Sequence, residues 1–185
     1  MTPFEYALGL FSVLVGLALA DSAQKAQRLV RHARTIIWDG RAVLAVMLVI
    51  IVIISLWFEV WNIRDRADIL VFGFYLTLFL EMMLLFVLAA NSLPDDAGPD
   101  CDMSVFYEGN SRTFWLSFSA FQLSFAAHWV YFTRFLGSAQ GWVVVIGSLA
   151  AFLLLAFVRK KVLHYLLPAA LIVVYLVLNW AETFD

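Results

Sequence analysis

Long apolar stretches alternate with short charged ones along this chain, and the alternation predicts six helices. The first apolar stretch covers residues 4–20, and helical character runs on through Asp21 into the polar and basic residues 22–34. One long helix is expected there, leaving a membrane and continuing along or beyond its surface. The second stretch is 42–63 and the third 69–93, and the link 64–68 holds two residues of each sign, which predicts a hairpin. Residues 94–112 are markedly hydrophilic, with Asp95, Asp96, Asp100, Asp102 and Glu108 among two prolines and two glycines. They predict an acidic loop that divides a single transmembrane domain, residues 1–185, into two three-helix halves. The remaining stretches are 113–136, 141–158 and 162–180, the last interrupted by Pro168. At about 1.5 Å per residue each stretch approaches or exceeds the ~30 Å hydrocarbon core of a bilayer, with the fifth the most marginal. The expected fold is an all-α membrane protein, a bundle of six transmembrane helices. Two halves of opposite orientation would match an inverted-repeat transporter, but the halves show no convincing sequence match.

Composition strengthens the membrane reading. Of 185 residues 64% are hydrophobic and only 14% charged, and the mean hydropathy is +0.90. Soluble domains are about half apolar and a quarter charged, so a water-soluble fold of this size could not hide so much apolar surface. The formal net charge of -2 excludes the basic surface that nucleic acid requires. Cys101 is the sole cysteine, which excludes an intramolecular disulfide and a cysteine-based metal cluster. No basic residue precedes the first apolar stretch, so a removable signal peptide is not expected.

Lys and Arg are retained on the cytoplasmic side of a membrane. With the N-terminus outside, nine of the twelve fall inside: Lys25, Arg28, Arg31, Arg34, Arg41, Arg112, Arg159, Lys160 and Lys161. Arg64, Arg66 and Arg134 fall outside. Six crossings of a cell inner membrane with both termini outside are therefore expected. Trp57, Trp61, Trp129, Tyr131 and Trp180 then gather near the outer interface, where aromatic anchors belong.

The opening Phe4-Glu5-Tyr6, followed by Leu8-Gly9-Leu10, a basic helix and Trp57-Phe58-Glu59-Val60-Trp61, resembles a group of small, uncharacterised bacterial inner-membrane proteins. The resemblance covers roughly the first third of the chain. It implies a bacterial cytoplasmic membrane and supplies no site.

Four groups of residues carry candidate chemistry. Lys25, Arg28, Arg31 and Arg34 recur at three-residue spacing after a complete crossing. They predict a juxtamembrane helix that meets anionic lipid headgroups on the inner side. Asp96, Asp100 and Asp102 could offer oxygens to a hard cation, but the stretch lacks the glycine and closing Glu of a calcium loop and reads as a solvated connector. Glu5, Glu59 and Arg134 predict an ion pair or triad near the outer face. Glu81 is the sharpest candidate, because it lies near the middle of its apolar stretch and must find a partner or stay protonated. His128 on the fourth helix is the expected partner. Thr77 precedes Glu81 by four residues and Ser124 precedes His128 by four, so a polar seam between the two helices is expected. Counting along the antiparallel helices offsets the two groups by about 5 Å in depth, so contact needs tilt or a bridging water. His32 and His164 share the inner side, yet nothing else points to haem; no cofactor and no bound metal are expected.

These features fit a small oligomeric channel or transporter, proton-sensitive or proton-coupled through Glu81 and His128. The alternative is a non-catalytic scaffold or accessory subunit that assembles with a membrane partner encoded elsewhere. A membrane-embedded lipid or quinone enzyme comes third, since no nucleophile motif, metal-ligand pair or nucleotide loop is present. Small-residue stripes such as Ser12-Gly16-Ala20 favour close helix approach. With so little chain to enclose a pathway, a homo-oligomer is expected.

Overall fold

A computed structural model describes residues 3–62, 71–132 and 139–179. Among them lie six α-helices: α1 (Pro3–Arg31), α2 (Gly40–Asn62), α3 (Phe72–Ala90), α4 (Met103–Phe132), α5 (Ala139–Phe157) and α6 (Lys161–Asn179). The protein is an all-helical bundle. Four helices are long and apolar enough to cross a membrane: α1, α2, α3 and α6. The described apolar part of α5 is shorter, and α4 is interrupted by Glu108, Arg112, Gln122 and His128. The predicted hairpin 64–68 lies outside the described residues, as do Arg64, Arg66, Arg134 and Trp180.

Charged side chains determine where several helices begin and end. Asp39 opens α2, its Oδ1 accepting the backbone N–H of Arg41 at 2.8 Å. Asp102 opens α4 in the same way, with Oδ1 accepting from the N–H groups of Ser104 and Val105 at 2.8 and 3.2 Å. Each satisfies donors that a helix start leaves unpaired. The cap at Asp102 corrects the acidic loop: residues 103–112 are helical, and the connector is confined to 91–102. α1 is the long helix expected, about 44 Å at the standard rise. It stops at Arg31, so Arg34 lies in the following turn.

Contacts follow the circular order α1, α3, α4, α5, α6, α2 and back to α1, with α2 also touching α3 and α4. Large apolar side chains such as Leu10, Leu17, Ile146 and Val177 point outward, while Glu81, Gln122 and His128 are buried. That inversion of the soluble pattern suits lipid as the surrounding solvent. The centre of α4 packs by rings: Phe118 stacks on Phe152 of α5 at 4.5 Å, and Trp115 lies 5.9 Å from both. At one end of the bundle the α1–α2 link meets the connector. Ile37 N–H donates to Cys101 O at 3.1 Å, and Met103 N–H donates to Ile37 O at 3.0 Å. The basic residues of the described chain gather at this end, called here the basic end.

Candidate functional site

Glu81 sits nine residues from each end of α3 and is completely buried. His128 of α4 reaches it directly, with Nδ1 3.0 Å from both carboxyl oxygens. The expected depth offset is bridged by the side chains themselves, without a water. Helical side chains lean toward the N-terminus of their own helix. Because α3 and α4 run antiparallel, Glu81 and His128 lean toward each other and together span about one turn.

The surroundings are aromatic. The His128 ring has Phe74 edge-on at 4.7 Å and Phe132 at 5.2 Å, and it stacks on Trp129 at 5.9 Å. Gly73 lies beside this wall, where a Cβ would stand in ordinary contact with the Phe132 ring at 3.5 Å. Among the described residues, His128 Nε2 has no hydrogen-bond partner. A buried polar atom in that condition costs about 1–3 kcal/mol. Thr77 turns its hydroxyl back to the carbonyls of Gly73 and Phe74, both at 3.0 Å, and Ser124 is half-buried one turn before His128.

The basic series divides. Lys25 is buried, paired with Asp21 at 3.1 Å and Asp95 at 2.7 Å, and its Nζ donates to the carbonyl of Ala90. Arg28 donates to the Asp95 carbonyl at 2.6 Å. Both therefore fasten the end of α3 and the connector to α1, where a cation also suits the negative end of a helix dipole. Lys25 is thus enclosed by protein, whereas Arg28 remains exposed beside its bond to Asp95. Arg31 and Arg34 are exposed. The hydrogen bond from Lys25 holds the Asp95 carboxyl below the usual carboxylate range. Arg134 of the expected outer triad lies outside the described residues; Glu5 is exposed, and half-buried Glu59 lies in electrostatic range of Tyr175 on α6.

A second cluster, absent from the sequence expectations, occupies the basic end. Arg41 is buried and grips Asp39, with Nε at 2.9 Å and Nη2 at 2.5 Å from Oδ2. The same guanidinium reaches Glu108 Oε1 at 3.0 Å and lies 5.2 Å from the Tyr107 ring centre. Burial pushes the Asp39 carboxyl up, but the hydrogen bonds from Arg41 outweigh it and hold the group below its ordinary value. The hydrogen bond from Arg41 likewise lowers Glu108. Beside this ion cluster runs a chain of fixed polarity. The Val158 carbonyl can only accept, so His164 Nε2, 2.8 Å away, carries the proton. His164 Nδ1 then accepts from Tyr107 O–H at 2.8 Å, and the Tyr107 oxygen accepts from Trp115 Nε1–H at 3.0 Å. Both ring nitrogens of His164 are engaged, and His32 is exposed on the turn after α1. Signals for this cluster existed in fragments: Asp39 before a helix start reads as a cap, and Arg41 two residues on reads as its partner.

No family model matches the chain, and neither a curated protein nor a solved structure matches it.

Proposed function

We propose that the chain is a small multi-pass channel or transporter whose Glu81–His128 pair takes up and releases a proton within the membrane. The observation that carries this reading is the direct contact of a carboxyl and an imidazole, fully buried at the midpoint of an apolar helix. Ionisable groups at such depth are costly and usually serve transport or proton transfer. Uptake of one proton takes the pair from net charge -1, carboxylate with neutral imidazole, to net charge 0. Before uptake Nδ1–H donates to the carboxylate, so the added proton goes to Nε2 or to the carboxyl, and one buried charge appears or disappears with each event.

The nine Lys and Arg residues of the basic end support a cytoplasmic location for that end. In this reading all six helices cross, both termini are outside, and the chains assemble as homo-oligomers. A proteoliposome assay with an internal pH-sensitive dye tests it. The wild-type chain should dissipate an imposed pH gradient, and Glu81→Gln and His128→Asn should each abolish the flux. Equal flux from all three proteins refutes the pair's role.

The alternative reading is a non-catalytic scaffold or accessory subunit that works with a membrane partner. It requires that the chain alone give no flux and that a partner restore it.

A further inference from the structure

The starts of α2, α4 and α6 enclose a polar pocket of about 230 Å³ at the basic end. Its inner side is already committed: Tyr107 and His164 bond each other, and Arg41 is held by Asp39 and Glu108. Its rim carries the side chains of Ser111, Arg159 and Lys161. The lining thus sets three cations against one carboxylate, Glu108. Lys161 is also the first residue of α6, where the unpaired N–H groups of a helix start favour an anion. Drug-sized ligands occupy about 300–1,000 Å³. This pocket suits a smaller anion.

We propose that the pocket binds a phosphate group, with Arg159, Lys161 and Ser111 as donors and Glu108 as the internal competitor that yields Lys161 to it. Glu108 lies 3.7 Å from the Lys161 ammonium and 3.0 Å from Arg41. An incoming phosphate replaces the longer, exposed contact and leaves the Arg41 anchor in place. Planar guanidinium and ammonium donors side by side are the usual means of holding phosphate oxygens. The pocket's neighbours indicate where the phosphate comes from. Phe157 and Val162, adjoining Arg159 and Lys161, are 61% and 66% exposed and apolar. The Arg112 guanidinium lies over the Phe157 ring at 5.3 Å. Apolar surface directly beside a cationic pocket is the setting of a lipid headgroup held between helices. Glu108 stays ionised at neutral pH, since Arg41 holds its carboxyl low. The competition is therefore present under ordinary conditions.

The full chain in detergent micelles, analysed by native mass spectrometry, tests the assignment with two probes, phosphatidylglycerol and inorganic phosphate. The wild type should retain bound phosphatidylglycerol in preference to phosphatidylcholine. Replacing both exposed cations, Arg159→Gln with Lys161→Gln, should weaken retention about tenfold or more. Glu108→Gln should strengthen it. Retention of both probes identifies phosphate itself as the ligand, and retention of the lipid alone identifies a headgroup; either supports the site. Retention of neither probe overturns it, as does unchanged lipid retention in the double variant. Circular dichroism of each variant confirms that the fold is kept, and the Arg31→Gln, Arg34→Gln protein controls for general attraction to the basic end.

Discussion

Two regions of this protein bury ionisable groups, and they do so in opposite ways. At the basic end, Arg41, Asp39 and Glu108 share several charge-assisted hydrogen bonds, and the neighbouring Trp115–Tyr107–His164–Val158 chain engages both ring nitrogens of its imidazole. In the middle of the bundle, Glu81 and His128 have each other, and among the described residues His128 Nε2 has no partner. A saturated network resists any change of protonation, because every proton has a fixed donor and acceptor. A pair with an unused nitrogen can change state by moving one proton. Under the proposed function the first region does structural work and the second exchanges protons.

The largest effect should come from breaking the saturated region. Arg41→Ala leaves Asp39 buried without its cation, and breaking a buried pair from one side costs about 3–5 kcal/mol. Thermal unfolding in detergent should show a correspondingly large fall in Tm. Acid should attack the same end. The carboxyls of Asp39, Glu108 and Asp95 are held below their ordinary values. Their contribution is complete above the unfolded value, about pH 4. It is lost as pH falls through the lower folded values, so a Tm measured against pH should decline there and the Arg41→Ala decline should be flatter.

A smaller effect is expected at Gly40, the first residue of α2. A Cβ there would meet Tyr165 Cε1 of α6 at 2.9 Å. Gly40→Ala should cost about 2 kcal/mol through overpacking. Trimming the ring with Tyr165→Leu in the same chain should recover part of the loss. The smallest change in stability belongs to the functional pair. Glu81→Gln keeps an acceptor for His128, and interhelical hydrogen bonds in membranes average about 0.6 kcal/mol. Its Tm should stay close to wild type while proton flux disappears, which is the separation the comparison requires.

The middle of the bundle was legible in the sequence and the basic end largely was not. Glu81 stands out because an isolated carboxyl within an apolar helix has few explanations, and His128 was the polar group at nearly matching depth on the next helix. The basic end depends on distant pairings. Arg41 meets Glu108 across 67 residues, Tyr107 meets His164 across 57, and Lys25 meets Ala90 across 65. Helical periodicity carries no information on such separations. Lys25 and Arg28 therefore read as a free basic face, although Asp95 and the end of α3 take both. The acidic stretch misled in another way, since its charges suggested a solvated loop while Asp102 was capping α4. Thr77 satisfies its hydroxyl on its own helix, an option that spacing alone does not reveal.

The most direct test of proton exchange at the buried pair is ¹⁵N nuclear magnetic resonance of the histidine-labelled, bilayer-reconstituted protein across about pH 5 to 8. The ring resonances of His128, assigned by their loss in His128→Asn, should move with pH in the wild type and stop moving in Glu81→Gln. His128 resonances that hold still across the range in the wild type, or that titrate identically without the Glu81 carboxyl, would contradict the account.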